Sequence, residues 1–247
     1  NALAVSGSTV YAGGEFSMVG GTPRNYLAAI GTDGVMQSWN PNANGWVRAL
    51  TAIGSTLYAG GDFTTLDGGT PRNFLAAINI DGGLLPWNPN ANSSVYAFAV
   101  IGSTIYLGGS FTRLEGTATT RNRLAAIDTD GVIQSWNPNA NSLVRGLAVI
   151  GSTIYAGGAF TTVEDGGTTR NYLAAIGSDG VVEPWNPNAN AAVYAVAASG
   201  STVYAGGPFT TLDDGGTTRN RLAAIDTDGT LLPWNPNASL LVNALAV

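Results

Sequence analysis

The chain contains no cysteine, no histidine and no lysine, and these absences restrict the chemistry it can perform. Without cysteine it forms no disulfide and carries no thiol nucleophile. Without histidine it lacks the side chain most often used as a general base and as a metal ligand. Arginine supplies all 10 basic residues. We therefore expect no catalytic residues, no bound metal and no cofactor.

Charge and long apolar runs are also scarce. Charged residues make up 11% of the chain, and the net charge is −6. An acidic chain disfavours a nucleic-acid partner, because phosphate backbones are bound through basic patches. It disfavours an anionic lipid surface for the same reason. No apolar run reaches the roughly 18 residues needed to span a bilayer, so we expect no membrane insertion.

A sequence repeat of about 48 residues occurs five times along the chain. In every unit a tyrosine precedes Gly-Gly by one intervening residue, and a tryptophan precedes Asn-Pro-Asn. The tyrosines are Tyr11, Tyr58, Tyr106, Tyr155 and Tyr204, in steps of 47 to 49 residues. The tryptophans are Trp39, Trp87, Trp136, Trp185 and Trp234, in steps of 48 or 49 residues. Both markers keep one period, so the chain is built from five similar units.

The pattern within each unit predicts four short strands. Turn residues interrupt the apolar segments every few residues, and no helical period is sustained. Asp81-Gly82 marks a two-residue hairpin between the last two strands, and Pro89 ends the unit because proline donates no ladder hydrogen bond. The longest connection, 63–73, is predicted as a loop. In the second unit, strands A, B, C and D are predicted at Val47–Ile53, Leu57–Gly61, Phe74–Ile80 and Leu84–Asn88.

Four-stranded units of this length predict an all-β fold, a five-bladed β-propeller in which each blade is a four-stranded antiparallel sheet. A parallel β-solenoid is the alternative, although its coils are usually shorter. We expect one domain spanning 1–247. The predicted blades are 1–45, 46–93, 94–142, 143–191 and 192–240, with 241–247 as an extra or ring-closing strand.

The two ends of the chain carry the same five residues. Asn1–Val5 and Asn243–Val247 both read Asn-Ala-Leu-Ala-Val and both align with strand A. Five sets of B, C and D strands therefore have six candidate A strands. We expect one of the two copies to complete the first blade, and the other to be frayed or to pair with another chain.

The order of these segments resembles kelch-type propeller repeats. Gly60-Gly61 and Trp87 stand where the kelch glycine doublet and tryptophan stand, and the resemblance extends over all five units. The Trp-Asn-Pro-Asn-Ala-Asn segment is instead similar to propeller repeats of secreted or surface bacterial proteins. Kelch propellers usually have six or seven blades, so five is a departure. The resemblance implies a propeller that binds partners through its loops, and it implies no particular activity.

One strand-A position differs between units while its neighbours stay alike, as expected of a single binding site. In a propeller this position lies at the mouth of the central channel. Arginine and tyrosine there predict a small polar or anionic ligand, held by charge-assisted and stacking contacts. The alternative is that the residue varies only because it lies on a solvent-exposed rim where substitutions are tolerated. The residues at this position are Arg48, Tyr96, Arg145, Tyr194 and Asn243.

A second candidate site lies between blades. The recurring Arg-Asn pair and the recurring tryptophan are most simply explained as loop and packing elements. The Arg-Asn pairs would also suit five identical anion or sugar sites, and the tryptophans would suit stacking on sugars. The arginines concerned are Arg24, Arg72, Arg121, Arg170 and Arg219, and the tryptophans are Trp39, Trp87, Trp136, Trp185 and Trp234.

The leading functional hypothesis is a non-enzymatic binding or scaffold module with a protein or glycan ligand. The alternatives are a multivalent carbohydrate-binding lectin with inter-blade sites, and an engineered repeat propeller without a natural ligand. A monomer is expected, with strand exchange through the duplicated terminal strand as the other possibility. Location outside the cell or on its surface is expected from the resemblance.

Overall fold

The fold consists of short β-strands. The computed structural model describes residues 1–115, 119–213 and 215–247. In this part of the chain, the regular structure is strand apart from one turn of 3-10 helix at Glu164–Gly166. No helix found there is long and apolar enough to cross a membrane. The predicted all-β class is confirmed.

The strand bounds follow the five repeats. In chain order they are β1 (Ala2–Ser6), β2 (Thr9–Gly13), β3 (Met18–Val19), β4 (Thr22–Pro23), β5 (Leu27–Gly31), β6 (Val47–Ile53), β7 (Thr56–Gly61), β8 (Thr65–Leu66), β9 (Thr70–Pro71), β10 (Leu75–Asn79), β11 (Val95–Ile101), β12 (Thr104–Gly109), β13 (Arg113–Leu114), β14 (Thr119–Thr120), β15 (Leu124–Asp128), β16 (Val144–Ile150), β17 (Thr153–Gly158), β18 (Thr162–Val163), β19 (Thr168–Thr169), β20 (Leu173–Gly177), β21 (Ala195–Ser199), β22 (Thr202–Gly206), β23 (Thr211–Leu212), β24 (Thr217–Thr218) and β25 (Leu222–Asp226).

Each repeat contains one three-stranded sheet in which the B strand lies between the A and C strands. The orders are β1-β2-β5, β6-β7-β10, β11-β12-β15, β16-β17-β20 and β21-β22-β25. In the second repeat the pairing is antiparallel, and Tyr58 on the central strand lies opposite Thr51 on one side and Ala77 on the other. The same order appears five times, in agreement with the period of the sequence.

The predicted fourth strand, at Leu84–Asn88 in the second repeat, is wrong. Only a single bridge joins this segment to the sheet, between Leu84 and Ile78, and equivalent bridges occur in the other repeats. Proline has no backbone N–H to donate, so Pro86 and Pro89 disfavour a longer ladder in this repeat. Ser38 and Ser135 replace Pro86 in the first and third repeats, where the segment likewise makes a single bridge. The sheets are therefore three-stranded, and strand D is reduced to an edge segment that carries the tryptophan.

The connection predicted as a loop at 63–73 contains a second, two-stranded sheet. In the second repeat β8 pairs with β9, and every repeat has an equivalent hairpin. Leu66 is fully buried and anchors the hairpin. The backbone N–H of Arg72 donates to the carbonyl of Thr64 at 2.9 Å and closes its base. Two-residue strands are too short to give a period-2 pattern, so the sequence did not indicate them.

The hydrophobic core is repeated with the sheets. The phenylalanine that follows the B strand is fully buried in the last four repeats, as Phe63, Phe111, Phe160 and Phe209. The C strands carry Leu-Ala-Ala-Ile, and in the second repeat all four of these residues are buried. A strand buried on both faces reads as a continuous apolar run, not as an alternating one.

The Gly-Gly doublet is explained by close approach of the chain on both sides of the B strand. A Cβ atom on Gly60 would lie 2.9 Å from a methyl carbon of Val95, on the A strand of the following repeat. A Cβ atom on Gly61 would lie 2.1 Å from the carbonyl oxygen of Trp46, just before its own A strand. Any side chain would collide at Gly61, so the doublet serves construction of the repeat.

The chain forms two compact units. Unit 1 comprises Asn1–Phe98, Phe111–Thr120 and Ile127–Ile133, and unit 2 comprises Ala99–Ser110, Arg121–Ala126 and Gln134–Val247. The first two sheets belong to unit 1 and the last two to unit 2, whereas the third sheet supplies segments to both.

The two copies of the terminal sequence have different structures. The first copy forms most of β1 and pairs with β2, so it completes the first sheet. Residues 243–247, all of which the structure describes, form no strand. The side chains of Val242 and Leu245 nevertheless cover Gly206, as Val193 and Val196 cover Gly157 one repeat earlier. The C-terminal copy is thus packed like an A strand but has no B strand to pair with.

Candidate functional site

The variable strand-A position forms an arginine–tyrosine pair in each unit. In unit 1 the guanidinium of Arg48 lies 4.8 Å from the ring centre of Trp46 and 5.5 Å from that of Tyr96. In unit 2 the exposed Arg145 stacks on Tyr194 at 4.7 Å. Asn243 is exposed in the C-terminal segment. The structure thus brings Arg48 and Tyr96 together in unit 1, and Arg145 and Tyr194 together in unit 2.

Arg48 also forms an ion pair that sequence reasoning missed. Its Nε and Nη2 atoms donate to the carboxylate of Asp62 at 2.9 and 2.7 Å, a two-pronged contact typical of arginine and carboxylate. The hydrogen bond to Asp62 raises the pKa of Arg48. Asp62 directly follows Gly-Gly, and the fourth repeat has Ala159 at that position. The two arginines therefore have different local charge.

Acid is expected to break the Arg48–Asp62 pair. Burial raises the pKa of Asp62, but the hydrogen bonds from Arg48 and Ser94 outweigh it, and the pKa lies below its usual value. A pKa depressed on folding contributes stability above the unfolded value of about 4, which is lost as the pH falls through the folded value. We expect Asp62→Asn to reduce the loss of thermal stability between pH 5 and pH 3, measured by circular dichroism. An unchanged pH dependence would contradict this.

The arginine of each Arg-Asn pair fastens the tryptophan-bearing segment to the hairpin. Arg72 donates from Nη1 to the Pro71 carbonyl at 2.8 Å and from Nη2 to the Leu85 carbonyl at 2.8 Å. All five of these arginines donate to the carbonyl 13 residues further on. In each of them Nε is buried, with no hydrogen-bond partner among the described residues. This geometry directs the guanidinium at the backbone of its own repeat.

Replacing Arg72 with lysine is expected to lower the free energy of unfolding by about 1–2 kcal/mol, because one ammonium group cannot reach both carbonyls. The matched control is Arg113→Lys, since the Arg113 side chain is exposed. This control should stay within about 0.5 kcal/mol of the parent. Urea titration of both variants measures the difference. Equal stability of the two variants would show that the carbonyl contacts contribute nothing.

The asparagines of the two motifs contact each other and the next repeat. Asn73 donates to the Asn90 side-chain oxygen at 2.6 Å, which links Arg-Asn to Trp-Asn-Pro-Asn. Asn90 has a φ of 53°, in the left-handed region that asparagine tolerates better than most residues. The side chain of the last asparagine of Trp-Asn-Pro-Asn-Ala-Asn binds the backbone of the following repeat. In the first repeat the side-chain oxygen of Asn44 accepts from the backbone N–H groups of Thr64 and Thr65 at 2.8 and 3.0 Å.

The tryptophans join consecutive repeats. The indole of Trp185 donates to the Asp226 carbonyl in the next repeat at 2.9 Å, and its ring packs edge-on against Tyr155 with centres 5.1 Å apart. The first four tryptophans are only 4–7% exposed and make equivalent contacts. Trp234, in the fifth repeat, is 43% exposed. The indole faces are therefore largely covered in four of the five repeats.

A polar cavity recurs beside the tyrosine–tryptophan pair. In unit 1 it is bounded by Thr9, Tyr11, Gln37, Trp39 and Asp81. In unit 2 the corresponding residues bound a larger cavity of about 560 Å³. Those residues are Thr153, Tyr155, Glu183, Trp185 and Asp228.

The recurring cavity opens between the A–B turn of one repeat and the C–D turn of the following repeat. The sequence had instead favoured the long connections as the place for a binding site. The sequence carried one sign of this cavity. The residue two positions before the tryptophan lines the cavity, and its polarity differs between repeats. That residue is Gln37, Leu85, Gln134, Glu183 and Leu232 in successive repeats.

The tyrosine hydroxyls in these cavities are held in the protonated form. Burial, and then the charge of Asp81, raises the pKa of Tyr11. Burial, followed by the charges of Glu183 and Asp226, raises the pKa of Tyr155. A neutral hydroxyl beside a carboxylate can donate and accept hydrogen bonds but is a poor nucleophile. Among the described residues, no group of three or more acidic side chains is placed to hold a metal ion.

Comparison with known proteins gives likenesses to solved structures, whereas no protein-family model and no curated protein matches the chain. Among solved structures, the chain is similar to the crystal structure of the computationally designed Ika4 protein, with 15% sequence identity and a TM-score of 0.48. The match covers 74% of this chain and 92% of that one.

Proposed function

We propose that the chain is a non-enzymatic binding module whose ligand sites are the cavities between consecutive repeats. The observation that carries the proposal is the recurrence of one polar cavity, bounded by the same tyrosine and tryptophan positions, in both units. A hydrogen-bonding side chain beside an aromatic ring, on a rigid sheet, suits a small polar ligand. Similar cavities along one chain would strengthen weak binding through avidity.

The absence of catalysis is part of the proposal. The chain has no histidine, cysteine or lysine, and burial keeps the pKa of Tyr155 above its usual value, so this tyrosine is not an activated nucleophile. The regular repeat length also supports two finer expectations, a five-bladed propeller and a kelch-like relationship. Location outside the cell and a monomeric state belong to the same proposal.

A library of small saccharides, amines and carboxylates tests this proposal by ligand-observed NMR. We expect ligands that bind the parent protein to bind more weakly when Tyr11 and Tyr155 are both replaced with phenylalanine. That change removes two hydroxyl groups and leaves the packing of the rings intact. Binding that survives the double change unaltered would contradict the proposed sites. Silence of the whole library would favour the alternative of an engineered repeat protein without a natural ligand.

The arginine–tyrosine pair of unit 2 favours a second candidate site. Arg145 is exposed and stacks on Tyr194, which suits a small planar anion such as a carboxylate. Arg48 is the matched comparison because its guanidinium binds Asp62, whose counterpart in the fourth repeat is Ala159. Thermal-shift titration with carboxylates should therefore respond to Arg145→Ala more than to Arg48→Ala. Identical shifts in both variants and the parent would exclude this site.

A further inference from the structure

We propose that the cavity between the fourth and fifth repeats is selective for a small organic cation, a primary ammonium that also carries hydroxyl groups. This inference rests on the proposed binding function and adds the chemical class of the ligand. The cavity has a volume of about 560 Å³. Ligand pockets of roughly 300–1,000 Å³ suit molecules of sugar size and above.

The lining of this cavity is negatively charged. It contains two carboxylates, Glu183 on the segment before Trp185 and Asp228 on the C–D turn of the fifth repeat, and it contains no arginine. Hydroxyl groups come from Ser152, Thr153 and Thr227. Two carboxylates without a basic neighbour in the lining repel anions and attract a cation.

Glu183 is held in place through its backbone, which leaves its carboxylate for a ligand. Its N–H donates to the Ala175 carbonyl at 2.8 Å, and its own carbonyl accepts from Arg170 at 2.7 Å. The carboxylate accepts no hydrogen bond from any described residue. The first atoms of the side chain are therefore fixed, while both carboxylate oxygens remain available to a donor.

Asp228 supplies the second carboxylate on the opposite wall. Its Oδ1 accepts the backbone N–H of Thr230 at 2.8 Å, which fixes the group at the turn. That hydrogen bond lowers the pKa of Asp228, so the group is ionised at neutral pH. The Thr230 side chain also hydrogen-bonds this carboxylate, which stays exposed and contributes its negative charge to the cavity.

Tyr155 provides a neutral hydrogen-bonding group in the same cavity. The residue is only 3% exposed, yet it lines the cavity, and its hydroxyl makes no hydrogen bond to the described residues. The hydroxyl keeps access to the cavity that the residue lines, so it is free to donate to a ligand. A ligand hydroxyl can accept from it. An amine with hydroxyl groups therefore matches this cavity better than a bare alkyl amine.

The other repeats support selectivity at position 183. Glu183 is the acidic member of a set that is otherwise glutamine or leucine. The unit 1 cavity has Gln37 with Asp81, so it carries one carboxylate where the unit 2 cavity carries two. The first cavity should therefore select for a cation less strongly than the fourth.

Isothermal titration calorimetry with glucosamine tests the inference, with glucose as the neutral probe of similar shape. We expect glucosamine to bind more tightly than glucose and to weaken as salt is raised. Glu183→Gln keeps the shape of the side chain and removes its charge, and it should weaken glucosamine binding by about tenfold. The matched control is Asp213→Asn, which removes the charge of an exposed carboxylate outside the cavity and should leave binding unchanged.

Two outcomes would overturn the inference in different ways. If glucose binds as tightly as glucosamine and Tyr155→Phe weakens both, the cavity is a binding site but is not selective for a cation. If glucosamine binds equally to the parent, Glu183→Gln and Asp213→Asn, the cation does not use this cavity. Absence of binding by every member of the NMR library would contradict the proposed function itself. Thermal melts of each variant show whether its fold is intact.

Discussion

Replacing Trp185 with alanine is expected to lower the free energy of unfolding by about 3–5 kcal/mol. The substitution empties a site that is 5% exposed and removes the edge-on contact with Tyr155. It also leaves the Asp226 carbonyl without its indole donor, now 2.9 Å away. Urea denaturation followed by tyrosine and tryptophan fluorescence measures the change.

Trp234→Ala is the matched control, because the same motif residue is 43% exposed in the fifth repeat. In the parent protein Trp234 makes the same edge-on contact, with Tyr204, at 5.4 Å between ring centres. We expect a loss of about 1 kcal/mol or less. If both substitutions cost the same, the tryptophans do not stabilise the fold by joining consecutive repeats.

Gly61→Ala is expected to destabilise the protein by about 3 kcal/mol, at the upper end of the usual cost of overpacking. The new methyl group would lie 2.1 Å from the Trp46 carbonyl oxygen and 3.0 Å from the Cα atom of Val47. Both are backbone atoms, so relief requires the A strand to move away from the B strand. A thermal melt should show a fall of roughly 6–12 °C.

The first repeat supplies the control for this substitution. Gly14 is also the second glycine of its doublet, but the nearest atom to its added Cβ is a ring carbon of Phe16 at 3.1 Å. That side chain is partly exposed and can shift. Gly14→Ala should therefore change stability by less than about 1 kcal/mol. Equal melting temperatures for Gly14→Ala and Gly61→Ala would contradict the close-approach explanation of the doublet.

The repeat unit could be predicted from sequence because its markers are rare residues at a constant period. Strand A at Val47–Ile53 has the predicted bounds, strand B begins one residue earlier than predicted, and strand C is one residue shorter at each end. The prediction of strand D failed because apolar residues followed by a tryptophan resemble a strand, whereas the segment makes a single bridge to its sheet in each repeat. The hairpin after Phe63 was missed because its strands have two residues each.

The candidate site was predictable only in part. The sequence identified Tyr155 and Trp185 as recurring residues, but it could not show that they flank a cavity with Asp228, which lies in the next repeat. The ion pair between Arg48 and Asp62 spans 14 residues and depends on how two strands pair. Spacing along the chain does not fix such contacts, because they are set by packing.

A crystal structure of the protein with glucosamine tests the central claim most directly. The claim is that the cavities beside the tyrosine–tryptophan pairs are the ligand sites. We predict a ligand in the fourth cavity, with its ammonium within hydrogen-bonding distance of Glu183 and a hydroxyl beside Tyr155. An empty cavity at saturating ligand, or a ligand bound only against Arg145 and Tyr194, would contradict the claim.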